Sequence, residues 1–324
     1  MPGAHMTYER RSMYSYRISG LHVSSQFELP GAIPEAARTE LADVTIRRRT
    51  VPATLEGAGP AALEGADTGL TWQMAGEKFL LQVPRLARFL IAHGREIDVE
   101  LEPDVKQRDA IGFVLGTSFG VLLHQRGALV LHGAAVASCG RAIVICGESG
   151  AGKSTLAAAL CREGCSFVAD DICVISLSGQ REPIVQSDGR QLKLWQESIV
   201  NLDLRTRRGD AVLDKFEKYY VRPFDIIAEP AKLSAIYVLR SARPRPRKQA
   251  GILSVALPDA IRMLEYEAYR PGLCAKIKSK PTMLAQAAAV FGHAKVFLLI
   301  RPVGFEHLKD TVASVLAHWD ALHQ

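Results

Sequence analysis

No apolar run in this sequence approaches the roughly 20 residues that cross a bilayer; the longest, residues 142–147 and 295–300, are about a strand in length. A membrane-spanning helix is therefore excluded from the expectations. The first residues also lack the unbroken apolar stretch and small-residue cleavage site of a secretory signal, and residues 1–5 read as an expression scar ahead of the native start. The expected setting is cytoplasmic, with no membrane contact. Cysteine is sparse, six in all at 139, 146, 161, 165, 173 and 274, and shows no repeated pair spacing. That argues for reduced core thiols and against a disulfide framework. Cys161 and Cys165 lie four apart, so a helix would put both on one face, but no second pair at zinc spacing accompanies them. Aromatics make up 7% of the chain and form no base-stacking module, so nucleic acid is not an expected partner.

What is present suits a protein with real cores: 324 residues, 48% of them hydrophobic, enough for about two domains. The net charge of +6 is modest. Basic residues gather at 47–49, 205–208, 240–248 and 276–280, where they read as solvated loops or as surfaces that concentrate anions.

From residue 14 to about 102, alternating segments at 14–18, 44–47, 70–74, 78–83, 88–91 and 96–101 predict a small antiparallel β module, with 50–67 as a loose loop. The division expected is a β-rich unit over 6–103 and a larger unit over 104–324. In the second, apolar residues every three or four positions (Ile111, Val114, Leu115, Phe119, Leu122, Leu123) predict a helix over 105–125. A hairpin follows, turning at Ser138-Cys139-Gly140 and ending at Gly147. Beyond it the pattern predicts a helix at 153–161, strands at 167–168 and 172–177, a helix at 195–202 and a strand at 235–239. Helices at 258–267 and 282–291, a strand at 295–300 and a closing helix at 305–322 complete the chain. Strands alternating with helices make this an α/β fold.

The most specific signal is Gly147-Glu148-Ser149-Gly150-Ala151-Gly152-Lys153-Ser154, a full match to Gly-x4-Gly-Lys-Ser between an apolar strand and a helix-forming run that begins at Thr155. Glycines let successive backbone N–H groups point inward, and the helix N-terminus adds partial positive charge where phosphates sit. Lys153 is expected on the β- and γ-phosphates of ATP and the Ser154 hydroxyl on Mg²⁺.

Sixteen residues after Ser154, Asp170-Asp171 is expected at or just beyond a strand end. One carboxylate would hold magnesium and the other would accept the proton of an attacking hydroxyl, two close like charges raising one pKa. The alternative is a solvated turn. His132, on an apolar strand, is either a satisfied core histidine or a site residue.

Taken together, Leu131-His132-Gly133-Ala134-Ala135-Val136, the Gly147–Ser154 loop and Val168-Ala169-Asp170-Asp171 resemble the bacterial HPr serine kinase/phosphorylase family, strongly over 129–175 and diffusely over the rest of 109–324. The resemblance implies a P-loop kinase core related to phosphoenolpyruvate carboxykinase, with His132 near the reacting phosphate and Asp170 and Asp171 dividing metal and base roles. The family's Glu-x-Arg-Gly signature is absent, and the region reads Arg190-Gln-Leu-Lys-Leu-Trp-Gln-Glu197. The first hundred residues do not resemble the family's sensor domain either. Both departures are similar to shorter relatives encoded with ribosomally made peptides, lasso-peptide kinases among them.

The expected activity is ATP-dependent transfer of a phosphoryl group to a serine of a peptide or small protein. HPr kinase/phosphorylase activity, a small-molecule hydroxyl kinase and a nucleotide-gated switch are the alternatives. Glu197, Lys218, Arg222 and Arg270 are candidate contacts to substrate or phosphate, and homo-oligomerisation is left open.

Overall fold

The computed structural model describes residues 13–36, 41–63, 69–177, 182–213, 216–227, 229–241 and 250–322. The proposed scar at 1–5 and most of the basic run at 240–248 lie outside them, as does part of the loop at 50–67.

The first eight strands form one sheet, in the order Tyr14–Ile18, Leu21–Ser25, Val44–Arg48, Glu96–Leu101, Ala87–Ala92, Lys78–Val83, Thr71–Ala75 and Ala62–Leu63. The expected strands are present, but the sheet is not wholly antiparallel. Val44–Arg48 runs parallel to both neighbours, Leu21–Ser25 and Glu96–Leu101. Leu21–Ser25 escaped the sequence reading because its burial pattern does not alternate cleanly. The basic triplet at 47–49 is partly structural, since Arg47 bridges Glu96 and Asp98 at 2.7 and 2.8 Å.

One face of this sheet packs against a helical stretch built from Gln107–Phe113, a π turn at Val114–Ser118 and Phe119–Gln125. Ile18, Phe79, Phe89 and Ile97 meet Val114, Phe119 and Leu122 in a cluster that also takes in Val130, Ile172 and Tyr269. Apolar contacts therefore run across the expected division at residue 103.

The second sheet holds Arg141–Gly147, Leu129–Ser138, Ser166–Ser176, Ile184–Val185, Ala231–Ser241, Lys295–Arg301 and Gly251–Ser254. The expected hairpin is there, with Cys139 and Gly140 in the left-handed region at its turn. Arg141–Gly147, Ala231–Ser241 and Lys295–Arg301 run parallel. Side chains alternate between two cores along such a strand. Ile143 and Ile145 pack with Leu156 of helix Lys153–Arg162 and Val315 of helix Leu308–Ala321, whereas Val144 and Cys146 pack with Leu264 and Val290 on the other side. Burial on both faces is why these strands read as unbroken apolar runs.

Two expectations fail here. The strands expected at 167–168 and 172–177 are one strand, Ser166–Ser176, with Asp170 and Asp171 inside it and not at its end. Long-range pairing to Leu129–Ser138 overrides the local break that two acidic residues suggest. Cys161 and Cys165 do not share a helix face, because the helix ends at Arg162. Burial pushes their thiols up to about 12 and about 11, which makes them inert. Among the described residues no group of three His, Cys, Asp or Glu could hold a metal by protein ligands alone, and no helix is long and apolar enough to cross a membrane.

A third, small sheet orders Leu192–Trp195, Lys218–Val221 and Arg208–Ala211. Its strand Leu192–Trp195 lies within the segment 190–197, and helix Gln196–Asn201 follows that strand directly.

Candidate functional site

The strand Arg141–Gly147 delivers the chain to a loop in which Gly147, Gly150 and Gly152 all have positive φ, at 143°, 80° and 93°. Side-chain-bearing residues rarely take these values, and the glycines let the backbone curl before helix Lys153–Arg162 begins. A Cβ on Gly150 would meet nothing within 4 Å. The concavity beside the loop is open, as an anion cradle requires.

Lys153 is buried, and its ammonium donates to the carbonyl oxygens of Gly147 at 2.8 Å and Glu148 at 3.1 Å. Burial lowers its pKa, and the acids around it oppose that shift. The Ser154 hydroxyl donates to Asp170 Oδ1 at 2.6 Å, and the other oxygen of that buried carboxylate accepts the Lys193 backbone N–H at 2.9 Å. Thr155 bonds Ser198 at 2.9 Å, joining the helix start to the helix after the small sheet.

Asp170 and Asp171 pair with Ala134 and Gly133 of the neighbouring strand. A regular strand would aim adjacent side chains at opposite faces, yet both aspartates line one cavity. The reason is local: Asp171 has φ 76°, in the left-handed region, and interrupts the alternation. Such a conformation in a residue with a side chain is strained and is held only by its surroundings. Asp171 Oδ2 lies 3.3 Å from Lys193 Nζ and Oδ1 lies 3.6 Å from His132 Nε2.

The charges around Asp171 reverse one expectation. Burial would raise its pKa, but Lys193, Arg190 and His132 outweigh that and hold it well below the ordinary carboxylate range. The expected raised, proton-hungry carboxylate is therefore not Asp171. His132 is pulled the other way, its pKa lowered by burial and by Lys153, so it is neutral at pH 7. Below the pair, Arg190 and Asp188 form a fully buried ion pair at 2.8 Å, with Arg190 also donating to Leu115 O at 2.9 Å.

These groups open onto a cavity of about 510 Å³ lined by His132, Ser149, Gly150, Gly152 to Thr155, Asp170 and Asp171. It is also lined by Lys193 to Trp195, Glu197, Ser198 and Lys218, and by Arg301, Val303, Gly304, Phe305 and Leu308. The glycine loop, the aspartate pair and His132 are thus brought together, and Glu197 and Lys218 join them. Arg222 and Arg270 are exposed and do not line the cavity.

Sequence reasoning missed Glu267 and Arg301. Glu267, buried at the end of a helix, accepts the Gly147 N–H at 2.8 Å and an Arg240 N–H at 2.8 Å, while its backbone carbonyl accepts the His132 N–H. Nothing local distinguishes it from the solvated acids of an amphipathic helix.

The donor set fits a magnesium-bound nucleoside triphosphate. Ser154 and Asp170, a hydroxyl and a carboxylate already in contact, are hard oxygen ligands of the kind Mg²⁺ takes when phosphates and water complete its shell.

No family model matches the chain, and no curated protein matches it. Among solved structures it is similar to the HPr(Ser) kinase/phosphatase from Coxiella burnetii, at 12% identity and a TM-score of 0.34, over 60% of this chain and 92% of that one. At that score the likeness decides neither fold nor activity.

Proposed function

We propose that this chain is an ATP-dependent kinase that phosphorylates a serine hydroxyl of a peptide or small protein. The observation that carries the reading is the 2.6 Å contact between Ser154 and Asp170 at the foot of the glycine loop, with Asp171 and His132 in the same cavity. A loop that only bound nucleotide would not need a second carboxylate and a neutral imidazole beside the first.

In this reading the loop N–H groups and Lys153 hold the β- and γ-phosphates, which costs Lys153 its carbonyl partners in exchange for phosphate oxygens. Ser154 and Asp170 would hold Mg²⁺, which would supply charge neutralisation for the transfer. Asp171, ionised at neutral pH, accepts the hydrogen bond of the acceptor hydroxyl and orients it for in-line attack. Its low basicity is tolerable because phosphoryl transfer depends on positioning and charge more than on early proton removal. His132, neutral and 3.6 Å away, braces Asp171.

The acceptor is favoured as a ribosomally made peptide precursor, on the departure of residues 190–197 from the kinase/phosphorylase signature the motifs otherwise resemble. Labelled ATP with a panel of serine peptides, HPr and small hydroxyl compounds tests this. Label on a peptide or small protein supports it. ATP hydrolysis with no labelled acceptor would leave a nucleotide-gated switch, and label on a small compound would leave a metabolite kinase.

A further inference from the structure

Arg301 ends the strand Lys295–Arg301, parallel to Ala231–Ser241, which in turn runs parallel to the strand that feeds the glycine loop. Three parallel strands thus finish at one edge, the edge at which open α/β sheets bind ligands. Arg301 Nη2 donates to the Ala151 carbonyl at 2.8 Å, and Nη1 lies 3.5 Å from the carbonyl of its own neighbour Pro302. A Cβ on Gly152 would sit 2.4 Å from Nη2, so the guanidinium lies across the loop where only glycine leaves room.

The other cations of the cavity are engaged. Lys153 bonds two carbonyls, Lys193 pairs with Asp171, and Lys218 sits 5.8 Å from the centre of the Trp195 ring. Arg301 has no carboxylate partner among the described residues, although it is half-buried and burial lowers its pKa. Most of its five N–H donors have no acceptor among the described residues. The donors left over point to room for the oxygens of an anionic ligand at this edge of the cavity.

We infer that Arg301 is a second phosphate-gripping residue, which binds the triphosphate of the nucleotide from the wall of the cavity beside Ala151 and Gly152. The inference rests on the nucleotide reading of the loop and adds a contact to it. The planar fork of arginine suits two phosphate oxygens at once, and the bond to Ala151 fixes that fork relative to the loop amides.

Calorimetric titration with Mg²⁺ and a non-hydrolysable ATP analogue, inorganic tripolyphosphate and adenosine tests it on the whole chain. Arg301→Gln keeps an amide N–H for the Ala151 carbonyl and removes the charge. Affinity for the analogue and for tripolyphosphate is expected to fall on the order of ten- to hundredfold, with adenosine binding unchanged. Arg301→Lys, which keeps the charge and loses the fork, is expected to fall less, and it carries the test if the glutamine variant does not fold by unliganded thermal unfolding. Wild-type affinity for tripolyphosphate in both variants would overturn the inference and leave the loop assignment standing, as would an equal loss for adenosine. A wild-type protein that binds neither analogue nor tripolyphosphate would sink the nucleotide reading itself.

Discussion

The Glu267 carboxylate accepts the backbone N–H of Gly147 across 2.8 Å, fixing the first residue of the glycine loop from a helix 120 positions later in the chain. The same residue holds the His132 backbone through its carbonyl. Truncating it in Glu267→Ala leaves a buried N–H without a partner, a cost of about 1–3 kcal/mol, and strips Arg240 of its acid. We expect a lower urea midpoint and a raised KM for ATP. Glu267→Gln, which retains an acceptor, should recover most of the stability. An alanine variant with the wild-type midpoint would show that the contact is incidental.

Lys153→Met should abolish phosphoryl transfer, because it removes charge-assisted contacts worth about 1.5–3 kcal/mol each from the transferring phosphate. The unliganded fold should persist, since burial already disfavours the ammonium. Turnover assays and thermal unfolding on one preparation separate the two effects, and near-normal turnover would defeat the loop assignment.

Asp170→Asn and Asp171→Asn should both lose most activity but answer magnesium differently. The first weakens the carboxylate bonded to Ser154, so activity should recover in part as Mg²⁺ is raised. The second removes the group beside His132 and Lys193 and should not recover. Identical magnesium profiles would mean that the two carboxylates do not divide the work.

Acid should destabilise this protein in two stages. His132 has its pKa lowered by burial, so the unfolded chain binds the proton first and stability falls as pH drops below about 6.5. Asp171 is held below its unfolded value of about 3.9; its contribution is full above about pH 5 and is lost as pH falls through the unfolded value toward the folded pKa. Urea midpoints against pH should therefore be flatter below pH 5 for Asp171→Asn than for the wild type. A parallel curve would contradict the pairing with Lys193.

The reverse reaction, phosphate attack on a phosphoserine product, should be slow. It asks the cavity to hold two anions that are largely removed from water. Within residues 190–197 only Lys193 brings a cation into the cavity, and it is already paired with Asp171. Phosphorylated acceptor incubated with enzyme, Mg²⁺ and millimolar phosphate should release little pyrophosphate; release at the forward rate would restore the bifunctional reading.

Local chemistry made the glycine loop, the hairpin before it and the helix after it legible, because backbone curl, apolar alternation and helix start are encoded within ten residues of one another. Apolar periodicity likewise placed most strands and helices; of the six thiols expected in the core, five are buried and Cys139, at the hairpin turn, is exposed. The sequence did not reveal that Asp170 and Asp171 lie within one strand, since pairing to Leu129–Ser138 holds them there and a left-handed backbone at Asp171 turns both carboxylates to one cavity. Nor did it single out Glu267 and Arg301, charged residues whose partners lie 120 and 150 positions away and are backbone groups that leave no trace in side-chain pattern. The glycine loop and its aspartate pair were written locally, and the electric field they sit in was decided only when distant charges were packed around them.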